Sequence, residues 1–442
     1  NGLIFVDSKP ESATVFLNGQ QQNGKTDARL VVPAGQYDLE LQRQGYAPWK
    51  RGVTLKGGTL RRLTYARLIP LQLETQVALN LPSVPTAVSH SIDKRWLVMT
   101  FTDSPLNMQV VDMNAAALQL TPLSLPADLL AATEPGTWEI LDWSDDNKAF
   151  LAEFRNPAGT EYLLVNRENP AASINLNRVF AGQTFTSIGM RDRKKDLVFI
   201  HDAAGGVLQK ANITTTIVEP YLSGVIDYVA FANDSVLYVT AEGATEGKVR
   251  PIFVFNDDSV ALSEIEQDTS YFLEIAKLGN ARVMGVGSVA EGRVIVYDDP
   301  LAALRNENSP DIPVATAILP VIPQELVVSS DASVILARNG QQFASYEFEA
   351  ERSYEFEVAA PVDQDQSIEW ADGQHFIVGA SGGLQTIIDF DGSNQNVLST
   401  SQPLLGSFFD SPLDEQYTFV PPASEGAPAQ FLRTFLRTPA DR

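Results

Sequence analysis

No cysteine occurs among the 442 residues, which excludes disulfides, thiolate metal sites and a cysteine nucleophile. Histidine is nearly as scarce. His90, His201 and His375 are the only three, and their wide spacing leaves little for imidazole ligation or imidazole acid–base catalysis, so each is read as structural or surface. Long apolar runs are missing as well: clusters such as Ile252 to Phe255 are broken within a few residues, far short of the roughly 18–20 needed to cross a bilayer as a helix. Positive charge is in deficit. Lys and Arg number 32 against 55 Asp and Glu, a net charge of -23, and such a surface repels phosphate and releases no counterions, which excludes a general nucleic-acid role.

What remains is a turn-rich, foldable composition: 44% hydrophobic and 20% charged residues, with 29 Gly and 26 Pro, neither disordered nor collagenous nor coiled-coil. At roughly 100–200 residues per domain, the length predicts several domains or one large repeat architecture. The charge is split along the chain. Residues 1–72 hold ten Lys and Arg against five acids, a net +5, and the remainder carries -28. Such a split predicts a short basic head, 1–72, and a long acidic body, 73–442, with different partners. The chain begins at Asn1 rather than Met, so a signal peptide or membrane anchor is expected upstream.

The head reads as short strands. Leu3 to Val6 and Ala13 to Leu17 are rich in aliphatic and aromatic residues, with a polar turn between them. Asn18-Gly19 supplies a tight turn, and Tyr37 to Leu41 alternates apolar and polar residues, so one face is buried and the other wet. With Leu30 to Val32, Val53 to Leu55 and Leu60 to Leu68, about six or seven strands predict a small antiparallel β-sandwich. The order Pro10-Glu11-Ser12-Ala13, Asn18-Gly19, Gly24-Lys25-Thr26, Pro33-Ala34-Gly35-Gln36-Tyr37 and Gly45-Tyr46 resembles the PEGA domain. It departs from that pattern at Ser12, where the name-giving motif has Gly, and at Asp27, where Pro often follows Thr. The resemblance covers about 70 residues and implies a module of bacterial or archaeal envelope and surface-layer proteins, without catalytic residues.

The body repeats itself. A polar turn holding Asp, an apolar run, a short gap and a second apolar run recur eight times, roughly 40–55 residues apart. One such repeat cannot bury both faces of its sheet, so neighbours must stack. The expected architecture is all-β: the sandwich plus a β-propeller of eight blades, with seven open if both chain ends share one blade. Trp143-Ser144-Asp145-Asp146-Asn147-Lys148 and Trp370-Ala371-Asp372-Gly373-Gln374 resemble the first turn of blades in TolB-like and WD40-like propellers. Residues around Leu71 to Leu81 are available as a closing strand. Ala115 to Thr137 and Pro300 to Pro320 are expected as loops on the propeller faces.

No stretch identifies a catalytic, cofactor-binding or metal site. Asp389-Phe390-Asp391-Gly392-Ser393 has the alternating oxygens of a calcium loop but lacks the later bidentate acid, which favours a hairpin turn. Asn256-Asp257-Asp258 and Asp298-Asp299-Pro300 read as turns, and Gly285-Val286-Gly287-Ser288 reads as a bend or hairpin. A sialidase box is absent; Ser329-Ser330-Asp331-Ala332-Ser333 is the nearest approach. A glycosidase needs two facing carboxylates, and nothing singles out one pair among 50 acids. The candidate interaction patch is Trp49, Lys50, Arg51, Lys56, Arg61 and Arg62, either free or docked on the acidic propeller.

The expectation is a non-catalytic, extracytoplasmic binding or scaffold protein of a prokaryotic cell envelope or cell surface, without cofactors. Its head docks to the envelope or a partner, and its propeller engages a protein or glycan. A polysaccharide hydrolase or lyase using the propeller funnel, and a structural surface-layer component, are the alternatives.

Overall fold

A computed structural model describes residues 1–442 except 103, 232–234, 257, 305–311, 381, 400–404 and 411. The chain is all-β. The described residues fall into two compact units: Asn1–Ala78, Tyr354–Pro421 and Gln430–Arg442 form the smaller, and Leu79–Ser353 with Pro422–Ala429 the larger. Among the described residues no helix is long and apolar enough to cross a membrane.

Seven strands build the head: β1 (Gly2–Lys9), β2 (Thr14–Leu17), β3 (Gln20–Lys25), β4 (Ala28–Val32), β5 (Gly35–Gln42), β6 (Trp49–Leu55) and β7 (Leu60–Arg67). They form two sheets, ordered β4-β1-β7 and β3-β2-β5-β6. Every pairing is antiparallel but one: β1 and β7 run parallel. Alternation decides the faces, because successive side chains on a strand point to opposite sides. Ile4 and Val6 of β1, Val15 of β2, Leu39 and Leu41 of β5 and Leu63 of β7 are all buried in one core.

The motif residues of the head explain themselves locally. Ser12 has φ +64°, the left-handed region that glycine enters without penalty, so the Gly of the motif answers a backbone need that Ser12 meets at some cost. Asn18 and Gly19 both have positive φ, as the turn between β2 and β3 requires. Thr26 ties the loop: its hydroxyl accepts from Ala13 N–H at 3.0 Å and bonds Ser8 Oγ at 2.6 Å.

Among the described residues the rest of the chain makes eight sheets, seven of four strands and one of five. Five lie within residues 87–124, 137–175, 187–223, 227–266 and 271–319, their four main strands in chain order; Ile265–Glu266 is the fifth strand of the fourth sheet and pairs with Lys248–Phe255. The sixth begins with Glu325–Val328, Val334–Asn339 and Gln342–Glu347, and the chain continues through Arg352–Glu357 into the smaller unit. The seventh lies within 369–399. The eighth joins Ser407–Asp410, Glu415–Val420 and Ala429–Phe435 to β8 (Glu74–Leu81), the strand that follows the head. Thr75 and Thr434 hydroxyls meet at 2.8 Å in that pairing, so the segment anticipated as a closing strand does join the last sheet.

A shared turn joins the first two strands of several sheets. Ser91 with Asp93, Ser144 with Asp146 and Ser329 with Asp331 each place a serine hydroxyl on an aspartate two residues on. A residue with positive φ follows each time, at Lys94, Asn147 and Ala332. The aspartate caps the turn in place of backbone partners.

Two loop expectations are corrected. Residues 115–137 contain the strand Thr121–Ser124, and 300–320 contain a short helix, Pro300–Leu304, and the strand Ala317–Leu319. Both inserts supply the fourth strand of their sheet. Gly285 to Ser288 is also no bend, since it lies inside the strand Ala281–Ser288. A Cβ on Gly285 would sit 2.5 Å from Ile335 Cδ1, so the glycine serves close packing rather than a turn. Of the Asn256-Asp257-Asp258 turn, Asn256 has φ +53° and Asp257 lies outside the described residues.

Candidate functional site

Strand alternation separates the six residues of the candidate patch. On β6, Trp49 and Arg51 face inward with 1% and 7% of their surface exposed, while Lys50 between them is exposed. Lys56 and Arg62 are exposed and Arg61 is half-buried. Trp49 Nε1 donates to Asp389 Oδ2 at 2.8 Å. Arg51 Nη1 lies 2.6 Å from Asp391 Oδ2 and Nη2 donates to Tyr354 OH at 3.2 Å. Its guanidinium also packs over the Phe390 ring at 4.9 Å. Lys50 contributes its backbone, which exchanges two hydrogen bonds of 2.9 Å with the Asn394 side-chain amide. The structure therefore brings Trp49 and Arg51 together on the turn after Gln385–Asp389, and leaves Lys50, Lys56 and Arg62 at the surface. The oxygens of that turn, read as a calcium-loop pattern in the sequence, are engaged by protein donors: Asp391 also accepts from Ser393 Oγ at 2.6 Å.

Arg67, at the end of β7, extends this contact and has no signal in the sequence. It is buried, with Nη2 3.0 Å from Asp372 Oδ2 and Nη1 on Asp414. Asp414 is shared with Arg437, whose Nη2 is 2.5 Å away. Asp372 is shared with His375, whose Nδ1 lies 2.7 Å from Asp372 Oδ1, and His375 Nε2 lies 3.3 Å from Asp389 Oδ1. Charges of opposite sign thus alternate from Arg437 through Asp414, Arg67, Asp372 and His375 to Asp389, where Trp49 and Asn394 donate. Burial works against a charged His375, yet Asp372 and Asp389 outweigh it and hold its pKa up at about 9. Burial raises the Asp372 carboxyl, but His375 and Arg67 overcome this and hold it well below the usual carboxylate range.

Backbone and tyrosine contacts complete the join. Ala47 N–H donates to Ile69 C=O at 2.8 Å and Leu71 N–H to Gly45 C=O at 2.9 Å, which folds the connection after β7 against the head. Ile69 is buried with Ile377, Ile387, Leu398 and Phe409 of the seventh and eighth sheets. Tyr46 OH donates to Asp441 Oδ2 at 2.7 Å.

In the larger unit, first strands of five successive sheets border one cavity of about 800 Å³. The strands are Thr137–Trp143, Ser187–Met190, Asp227–Phe231, Tyr271–Leu278 and Glu325–Val328. Three carboxyls from three sheets line it: Asp142, Asp227 and Glu274. Burial pushes Asp142 up, against Arg193 Nε at 3.6 Å and the Trp143 N–H at 2.8 Å. Burial also pushes Asp227 up, against the Tyr228 N–H at 2.8 Å. Glu274 goes furthest, to about 8, through burial and then the like charge of Glu325. Such carboxyls accept cationic or hydroxyl-bearing groups, and Glu274 can hold a proton near neutral pH. No local motif marks them among the 55 acids; only the assembly of first strands does.

Residues 1–67 match the PEGA domain family. Among solved structures, the C-terminal WD40 domain of Sif2 is similar at a TM-score of 0.53 and 13% identity, covering 81% of this chain and 97% of that one. The Dos1 propeller is similar at a TM-score of 0.50 and 11% identity, covering 81% and 95%. Identities this low show the fold alone: a β-propeller. A search of the curated proteins finds no match to the chain.

Proposed function

We propose that this chain is a non-catalytic, extracytoplasmic binding protein of a prokaryotic cell envelope, whose acidic propeller engages a protein or glycan partner. In this reading the head is residues 1–72 and the propeller 73–442, with eight blades. A PEGA domain joined to a propeller fits a surface or envelope binding protein. The observation that carries the reading is the buried contact of Trp49, Arg51 and Arg67 with Asp389, Asp391, Asp372 and Asp414. It joins the head to the seventh and eighth sheets in one unit, which is the build of a platform and not of a flexible tether. The test is labelling of intact source cells with a membrane-impermeant crosslinker, followed by fractionation and immunodetection. Labelled protein in the envelope fraction, crosslinked to a protein or a glycan, is expected; unlabelled protein recovered with the cytosol overturns the reading.

One observation favours the alternative of a polysaccharide hydrolase or lyase: a carboxyl, Glu274, whose proton is retained to about pH 8 in a cavity shared with two other acids. Turnover of an envelope polysaccharide that Glu274→Gln abolishes would establish it.

A further inference from the structure

The head has a second face that the contact above does not use. The register of the three-stranded sheet sets Val31, Leu3 and Leu60 side by side across β4, β1 and β7, and sets Arg29, Phe5 and Arg62 side by side two residues further on. Their strand neighbours Ile4 and Leu63 are fully buried in the head core, so both rows face outward. Val31 is 69% and Leu60 47% exposed. Arg29 lies over the Phe5 ring at 5.7 Å. Lys56 is exposed in the turn between β6 and β7, close to the aliphatic row: Leu3 N–H donates to Thr59 C=O at 2.9 Å and Thr59 N–H to Lys56 C=O at 3.3 Å. Among the described residues Arg29, Arg62 and Lys56 have no acidic partner, although Asp7 and Asp27 lie just beyond the arginine row; Asp7 Oδ1 accepts from the Ser8 N–H at 2.7 Å.

We propose that this outer face, with Val31, Leu3 and Leu60 flanked by Lys56 and by Arg29 and Arg62, docks on an anionic lipid bilayer. The inference rests on the envelope reading above. Unpaired guanidinium groups select an anionic surface, and their planar fork suits phosphate. The aliphatic row selects further: it fits a surface with hydrocarbon directly beneath its charges, as a bilayer interface has and a charged polymer lacks. A single exposed aliphatic residue is ordinary, but three aligned across three strands beside a row of cations form a patch.

The experiment is flotation of the full chain with vesicles of phosphatidylcholine alone or mixed with phosphatidylglycerol. The chain is expected to float with the mixed vesicles and not with phosphatidylcholine alone. Arg29→Ala with Arg62→Ala is expected to lower the partition coefficient about thirtyfold, which corresponds to about 2 kcal/mol at about 1 kcal/mol per arginine. Val31→Ser with Leu60→Ser is expected to weaken binding while leaving its salt dependence in place. All four positions are exposed or at the sheet edge, and thermal melting confirms that the variants fold. Equal binding to both vesicle types, no binding to either, or binding unchanged in the arginine variant overturns the proposal. Dimers in sedimentation without vesicles, dispersed by the arginine substitutions, also overturn it and assign the face to a second copy of the chain. Failure here leaves the cell-fractionation result standing, and cytosolic recovery sinks the envelope reading whatever the vesicles show.

Discussion

The Trp49 indole donates its N–H to Asp389 across 2.8 Å, linking residues 340 positions apart inside the smaller unit. Asp389 keeps other partners when this donor is lost, Asn394 Nδ2 at 2.9 Å among them. Trp49→Phe is therefore expected to cost about 1.5–3 kcal/mol, the range for a hydrogen bond to a charged group, and Trp49→Ala about 3–5 kcal/mol through the cavity it leaves. Urea unfolding followed by circular dichroism measures both; equal effects of the two substitutions would refute the assignment.

Arg67 bridges Asp372 and Asp414. Replacing it by Met leaves two buried carboxylates short of a cation, and a loss of about 3–5 kcal/mol is expected. Arg67→Lys is expected to recover only part of this, because one ammonium cannot serve both carboxylates with the fork of a guanidinium. Full recovery by lysine, read as an unchanged unfolding midpoint, would show that simple charge suffices.

His375 links the stability of the smaller unit to alkaline pH. Its folded pKa, about 9, lies above the unfolded value of 6.5, so the stabilisation is fully present below about pH 6.5 and is lost as pH rises toward 9. The total is about 3 kcal/mol. Asp372 acts in the opposite range: its folded pKa is depressed, so its contribution holds above the ordinary carboxylate pKa and fails in acid. Unfolding curves between pH 6 and 9 should slope downward in the native chain, and His375→Gln should flatten that slope.

Glu274 acts in the larger unit. Its folded pKa, about 8, lies above the unfolded value of 4.5, so the folded state holds the proton longer and stability falls as pH rises between those values. The full effect is roughly 5 kcal/mol. Glu274→Gln is expected to gain stability over the native chain as pH rises through this window, measured by melting temperature at paired pH values. A constant difference across the window would place the carboxyl in water.

Legibility in the sequence followed burial. The second and third strands of the sheets, such as Ala149–Asn156 and Ser235–Thr240, are apolar runs buried on both faces, and runs of this kind carried the repeat count. The fourth strands are thin by comparison. Thr121–Ser124 buries only Leu123, so nothing in its composition separates it from a loop. In the head, alternation and turn residues sufficed, because short strands joined by tight turns encode their own register. The patch divides for a simple reason. Trp49 and Arg51 differ by two positions and so share one strand face, with Lys50 on the other. Their acidic partners, and those of Arg67, lie hundreds of residues away, where no local pattern connects them. The cavity carboxyls were hidden for the same reason, each lying in a different sheet.

The eighth sheet takes β8 from just after the head and its remaining strands from the far end of the chain, with Thr75 and Thr434 in contact across 359 positions. A ribosome adding roughly 5–20 residues per second takes about 20–70 s to make that stretch. Throughout that interval β8 has left the exit tunnel without its partner, and the turn that receives Trp49 has not been synthesised. The nascent chain thus carries an open strand edge and an unmatched tryptophan and arginine pair for most of its translation. Until the last strands are made, that edge is open to pairing with any other strand, and only its own sheet closes it.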